Sequence, residues 1–412
     1  MTRLGYLEAM RDIDLFQLAL GLSSPWSVRR CEFDAEGKRL DIHIDFPRGS
    51  RFVCSGCGEG GRPAHDTKEE TWRHLDFFQH KAFLHARVPR ADCPACGVLK
   101  VNVPWARAGS GFTLLFEGVL MSMAKSMPVQ NIARLIGEHD TRVWRVIQHY
   151  VDKAVDAKDL SKVRKIAVDE TSARRGHDYV TLFADAVSRR VVHVADGKSG
   201  ETIGDFVRRL EKQGGDKRNI TDASIDMSAA FIAGVRENLP NARVTFDRFH
   251  VVKLVNEAVD EVRRLESRRD PLLKGARYIW LKNAENLTKD QAGQLAALEG
   301  ANLDTMQAYQ IRMNLQQVFR MDARSARNFL GKWNSWVKIS GLAPMVKAAK
   351  TIMDKADDIL RAIETGMSNG FLEAVNGRVQ AAKRMARGYR TKQNLKTIIY
   401  LVAGGILGAL PT

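Results

Sequence analysis

Cysteine and carboxylate spacing carries most of the chemistry legible in this chain. Four of its five cysteines form two C-x-x-C pairs, Cys54-Ser-Gly-Cys57 and Cys93-Pro-Ala-Cys96, separated by 35 residues. Thiolates hold Zn²⁺ tetrahedrally, and two such knuckles supply the four sulfurs of a closed structural site. Gly58 and Gly97, just after the pairs, let backbone N–H groups turn toward the sulfurs. His65, His74, His80 and His85 lie between the pairs as alternative ligands. One structural Zn²⁺ on Cys54, Cys57, Cys93 and Cys96 is expected, with Cys31 the odd thiol. So few cysteines in 412 residues point to metal in a reducing compartment, not to a disulfide framework.

The carboxylates matter by position. Asp169 closes a strand-like run, Lys165 to Asp169, and Asp226 closes another, Ile220 to Asp226. If the two strands are adjacent and parallel, both acids emerge at one carboxyl edge, where open α/β sheets place their sites. Paired carboxylates of this kind suit hard Mg²⁺ ions. Glu170 competes with Asp169, and Asp222 with Asp226. A third acid, Glu373, belongs to a helical pattern in which Asn369, Glu373, Asn376, Gln380 and Lys383 share a polar stripe. Leu372, Val375, Val379 and Ala382 form its buried stripe. From Asn376 to Lys396 there are seven basic residues and no acid, so Lys383, Arg384, Arg387 and Arg390 are placed to meet phosphates beside that glutamate.

The whole chain is basic, with 64 Lys and Arg against 48 Asp and Glu, a formal charge of +16. That excess favours a polyanionic partner, nucleic acid ahead of a membrane surface, because no basic amphipathic segment with a bulky apolar face stands out. Met127 to Ile147 reads as a helix-turn-helix. Pro128 suits a first turn, Val129, Ile132, Ala133 and Ile136 are at core spacing, and Gly137 marks the turn. Asp140 or Thr141 caps a second helix whose apolar side is Val143, Val146 and Ile147, leaving Arg142, Arg145 and Gln148 for a groove.

Elements must position these groups. The fold class is multidomain α/β. Residues 1–50 show a short helical pattern (Leu7, Met10, Leu15, Leu18) and a strand with Leu40, Ile42, Ile44 and Phe46 on one face. Residues 51–104 form a small β-rich zinc module closed by a linker from Pro104 to Gly111, and 105–160 are helical. Residues 161–250 read as strand, strand, strand, helix, strand, helix, strand, the order of an RNase H-like fold. Residues 251–365 show only helical patterns, with Trp280, Trp333 and Trp336 read as core, and 366–412 carry the Glu373 helix. The apolar stretch Thr397 to Leu410 is too short to span a bilayer, and the charged N-terminus is unlike a signal peptide, so a cytoplasmic protein is expected.

Taken in order, Val168-Asp169-Glu170-Thr171, Ser224-Ile-Asp226-Met-Ser-Ala-Ala-Phe231, Phe246-Asp247-Arg248-Phe249-His250-Val-Val-Lys253 and the Glu373 helix with Lys383-Arg384 and Gly388-Tyr389-Arg390 resemble the DDE transposases of the ISL-three family of bacterial insertion sequences. The resemblance covers nearly the whole chain. It implies an N-terminal zinc ribbon, a helix-turn-helix and an RNase H-like catalytic domain interrupted by an all-helical insertion. It further implies that Asp169, Asp226 and Glu373 are the catalytic triad holding two Mg²⁺ (or Mn²⁺). Asp247 and His250, matching a D-x-x-H motif, fall near the catalytic centre. Ala374 stands where a small residue, often Gly, is expected. The implied activity is binding of terminal inverted repeats, metal-dependent cleavage at the ends and transfer of the 3′-OH strand to target DNA, by a homodimer or higher oligomer on double-stranded DNA, without a membrane. Two rivals remain: a transposase-derived DNA-binding regulator without catalysis, which the three acids count against, and an RNase H-like structure-specific nuclease, which would not need an end-reading module.

Overall fold

The computed structural model describes residues 11–406 except Arg175, Lys274, Gly300 and Asn302. Leu7, Met10 and Leu410 of the patterns above lie outside the described residues. Two compact units divide the chain, one reaching Tyr150 and the other running from Val151 to Ile406.

In the first unit the strands are β1 (Ser27–Asp34), β2 (Arg39–Asp45), β3 (Arg51–Phe52), β4 (Arg62–Arg73), β5 (Lys81–Cys93) and β6 (Gly97–Lys100). They run in the order β1-β2-β5-β4-β3, with β6 on β5. The period-two pattern of β2 puts Leu40, Ile42 and Ile44 into the core, and Phe46 follows them. Trp105, placed by sequence in a linker, is a core residue instead. Its ring meets Trp26 at 5.1 Å and Trp72 at 5.5 Å, both edge to face, so burial of a large aromatic overrides the Pro/Gly-rich surroundings. Helices Leu114–Ala124, Val129–Ile136 and Asp140–Asp156 follow.

The second unit holds β7 (Lys165–Arg174), β8 (Asp178–Asp185), β9 (Arg190–Asp196), β10 (Asp222–Ile225) and β11 (Arg243–Phe246), ordered β11-β10-β7-β8-β9. β7, β8 and β9 form an antiparallel meander, while β10 and β11 run parallel to β7. Helices Glu201–Lys212 and Ala229–Asn238 make the connections, which completes the expected RNase H-like order.

Both faces of this sheet are buried. Ile166, Val168 and Phe183 pack with Phe206, Leu210 and Phe231 on one face. The same core continues through helix Arg248–Glu266 to Trp280 and Trp333, so the helical insertion extends the sheet's core and has none of its own. Every described regular element from Arg248 to Thr365 is α- or 3₁₀-helical. Trp280 and Trp333 are buried as expected, and Trp333 Nε1 donates to the Ile311 carbonyl at 3.0 Å. The opposite face packs Ala167, Leu182 and Val194 against Leu372, Val375 and Val379 of helix Gly370–Met385 and against Leu395 and Ile399 of helix Lys392–Ala403. Each such buried aliphatic stabilises that docking by about 1.5–3 kcal/mol. No helix among the described residues is long and apolar enough to cross a membrane.

Candidate active site and nucleic-acid interface

The parallel register places the acids. Ser224 pairs with Ala167 and Ile225 with Phe246, so two steps beyond the first pair and one beyond the second Asp169, Asp226 and Asp247 fall in one row across β7, β10 and β11. Asp169 does not end its strand, as the sequence suggested. β7 runs on to Arg174, paired only with β8, because β10 stops at Ile225. Asp222 sits at the opposite end of β10, buried and paired with Arg243 at 2.9 Å, away from the row. Glu170 lies beside the row. Burial, then Asp226, pushes its carboxyl up to about 7.

The end of β10 leaves part of β7 without a strand partner. Arg164 C=O accepts from Thr221 N–H at 2.8 Å, so the even-numbered carbonyls point to the β10 side, and those of Val168, Glu170 and Ser172 lose their strand donors. Side chains of helix Gly370–Met385 and its N-cap replace them. Asn369 Nδ2 donates to Val168 O at 3.0 Å, Asn376 Nδ2 to Glu170 O at 3.4 Å, and Gln380 Nε2 and Lys383 Nζ to Ser172 O at 3.1 and 2.8 Å. The polar stripe is therefore largely a docking surface, with Asn369 fully buried. Leu372, Val375 and Val379 are buried as predicted, and Ala382 is half-buried.

This docking brings Glu373, in the helix's first turn, to the row of aspartates. Burial, then Asp247 and Asp169, raises the Glu373 carboxyl above its ordinary range, while His250 and Arg248 oppose the rise. Burial also raises Asp169, with Asp247 and Asp226 adding to it and the Glu170 N–H and His250 opposing. Acids that disfavour one another's charge fit a divalent cation, which would relieve that repulsion. Their oxygens do not converge as the thiols do. Among the described residues, only the four cysteines form a group of three or more donors within 4.8 Å. Sequence reasoning missed Lys355, which the helical insertion sends to the Met227 carbonyl at 2.6 Å and over the Phe246 ring at 5.1 Å. No local pattern marks it.

Beyond the helix, Arg387 and Gly388 take positive φ (55° and 95°), folding the chain back to form a cleft of about 790 Å³. Lys383, Arg384, Arg387 and Arg390 all line it, and Arg174 from the far end of β7 joins them. Among the described residues no acid lines this cleft, so its field suits phosphates.

In the first unit, Cys54 and Cys57 follow β3, Cys93 ends β5 and Cys96 lies in the turn to β6. Cys57 and Cys93 sulfurs are 3.7 Å apart. With Zn–S bonds of about 2.3 Å, a tetrahedral edge is about 3.8 Å, so the thiols fit zinc. Gly58 and Gly97 have φ of 77° and 75°, the left-handed turns the knuckles require. The four sulfurs group without any of the histidines, of which His74 bonds to Thr113, and His85 to Thr71 and Asp41.

Gly137, at φ 67°, joins helices Val129–Ile136 and Asp140–Asp156, whose Val143, Val146 and Ile147 are buried. Pro128 is the N-cap residue, one place before the first turn. Asp140 already lies in the second helix, and His139 Nδ1 accepts from Thr141 N–H at 3.3 Å in place of the predicted caps. Arg145 is exposed, and Gln148 is half-buried. Arg142 is committed within the fold, to Glu138 at 2.5 Å and over the Phe112 ring at 4.3 Å.

A four-cysteine module, a helix-turn-helix and a sheet of this order with acids at its carboxyl edge define an enzyme that acts on DNA. Residues 166–399 match the family of ISL3 transposases, residues 101–151 match the helix-turn-helix domain of transposase family ISL3, and residues 50–96 match the zinc-finger of transposases IS204, IS1001, IS1096 and IS1165. The chain belongs to the ISL3 transposase family, whose members move insertion sequences. It is 29% identical to the transposase for insertion sequence element IS1557 of Mycobacterium tuberculosis, over 98% of both chains. To the transposase for insertion sequence element IS1001 of Bordetella parapertussis it is 28% identical, over 91% of this chain and 94% of the other.

Proposed function

We propose that Asp169, Asp226 and Glu373 hold the divalent ions of a strand-cleaving and strand-joining centre. The observation that carries this is the register row of Asp169, Asp226 and Asp247, to which the docked helix adds Glu373. Two Mg²⁺ (or Mn²⁺) ions would supply nucleophile activation and charge neutralisation at the reacting phosphate. In the first step water adds to phosphorus and the 3′-oxygen leaves, freeing a 3′-OH; in the second that 3′-OH attacks a target phosphodiester and expels its 3′-oxygen. Asp247 and His250 shape the charge around the triad. Lys383, Arg384, Arg387 and Arg390 hold the flanking phosphates so that the scissile bond lies over the acids.

The first unit reads the terminal inverted repeats, with Arg145 and Gln148 toward the groove. Arg142 serves that reading mainly by fixing the helix through Glu138 and Phe112. Both ends must be held for joining, which supports a homodimer or higher oligomer on DNA, in the bacterial cytoplasm and on the nucleoid. Alanine at Asp169, Asp226 or Glu373 should lower cleavage of labelled end DNA by at least about a hundredfold with end binding intact. Glu170→Ala and Asp222→Ala are the comparison. Full cleavage by a triad variant, with loss in a comparison variant, would mean that different acids do the work.

A further inference from the structure

Both oxygens of Asp169 are engaged. Oδ1 accepts from Glu170 N–H at 2.8 Å, within its own strand, and Oδ2 accepts from Asn376 Nδ2 at 2.7 Å. Asn376 sits three residues after Glu373, on the next turn of the same helix. The amide's direction is fixed by chemistry: reversed, it would set its oxygen against a carboxylate oxygen, two acceptors facing each other. Gln380 and Lys383 occupy the same stripe and bond to Thr171 and Ser172, but neither has a bond to a carboxylate there.

We propose that Asn376 is a positioning residue for Asp169, a proposal that rests on the triad reading above. Its N–H favours the ionised carboxylate and pins the rotation of its plane, while each oxygen keeps a lone pair for a cation. Without this bond the Asp169 carboxylate is held only through Oδ1, by Glu170 N–H, and can pivot about that contact away from the neighbouring Asp226 and Asp247. Docking of one helix thereby does two things together: it delivers Glu373 and it sets the orientation of Asp169. The two cation-binding acids are assembled in a single event.

The test uses full-length protein and Mn²⁺, with binding read as loss of the free-ion electron paramagnetic resonance signal and cleavage of labelled end DNA followed over the same concentrations. Asn376→Ala should raise the Mn²⁺ midpoint about tenfold in both measurements, within the range typical of groups that orient a metal ligand, with end-DNA affinity unchanged. Gln380→Ala removes a docking bond without touching a carboxylate; Lys383 Nζ still holds the Ser172 carbonyl at 2.8 Å, so the helix keeps its place and the midpoint should stay within about twofold of the parent. Should Asn376→Ala melt early, Asn376→Ser provides the gentler removal of the amide. Equal midpoints for the Asn376 and Gln380 variants, shifted or not, would overturn the positioning role. Asp169→Asn separates the two readings. If it abolishes Mn²⁺ binding and cleavage while the Asn376 variants leave both midpoints unchanged, only the positioning role falls; if it retains both, the triad reading falls and takes this one with it.

Discussion

Replacing Glu117 with alanine should cost the first unit about 4 kcal/mol. The carboxylate is fully buried and receives Arg107 through Nε and Nη2 at 3.0 Å each, Ser110 Oγ at 2.7 Å and Tyr150 Oη at 2.6 Å. Its loss leaves the Arg107 cation without a counter-charge and strands the Tyr150 hydroxyl. Breaking a buried pair from one side costs about 3–5 kcal/mol, and an abandoned hydroxyl adds about 1–3 kcal/mol. Arg107 keeps 22% of its side chain exposed and can recover some hydration, which brings the total toward the lower end. Glu117→Gln keeps the shape and an acceptor and should cost roughly half as much, whereas Glu117→Met with Arg107→Met removes both charges and should cost only the stranded Tyr150 hydroxyl, about 1–3 kcal/mol. Urea unfolding of a fragment of residues 1–160, followed by fluorescence of its tryptophans, measures all three. A loss below about 1 kcal/mol for Glu117→Ala, or a double variant as unstable as the single, would refute the reasoning.

Purified protein should contain one zinc per chain, and Cys54→Ser or Cys93→Ser should abolish its retention in metal analysis; a folded, zinc-free first unit would contradict this. Arg387→Ala and Arg390→Ala should each flatten the dependence of log affinity on log salt by about 0.9 in end-DNA binding, if each meets one phosphate, and an unchanged slope removes that residue from the interface. Burial, then the nearby Arg209 and Lys396, holds the His193 imidazole down to about 4 from 6.5. The folded state thus binds fewer protons than the unfolded one between those values. Stability should be full above about pH 6.5 and fall as pH drops toward 4, by up to about 3 kcal/mol from this group. His193→Gln should reduce that slope in thermal melts, and an unchanged slope would assign the acid sensitivity elsewhere.

The sequence exposed what depends on local pattern. Alternation gave the buried face of β2, the knuckles gave the zinc module, and the β-run order gave the strand topology. Three features escaped because they are set by tertiary contact. The length of β7 depends on β8 continuing where β10 stops, and nothing in Lys165 to Asp169 reports that. Helical periodicity puts Asn369 and Gln380 on a polar stripe without saying what they meet, and carbonyls on a distant strand turn them inward. Arg142 sits at a groove-facing position of its helix, but Glu138 lies one turn earlier and Phe112 offers a ring, so a side chain that stays 39% exposed is also tied to the fold. The acids were legible as residue types, with the strand-end reading correct for Asp226 and not for Asp169; the alignment of Asp247 with them needed the register of β11.

The row of carbonyls at Val168, Glu170 and Ser172 works as a ruler. Two residues along a strand advance about 6.7 Å, and four along a helix about 6 Å, so the amides at 376 and 380 match successive marks. The position of Glu373 is consequently encoded in the strand it lands on, independent of the chain that leads there. More than a hundred residues separate Asp247 from Asn369, and their number can change without moving the acid, provided the sheet core they also cover stays closed. Lineages are then free to lengthen, trim or replace the helical insertion, adding contacts to DNA or to partner copies, while the spacing of the reaction centre is inherited unchanged from ten residues of β7.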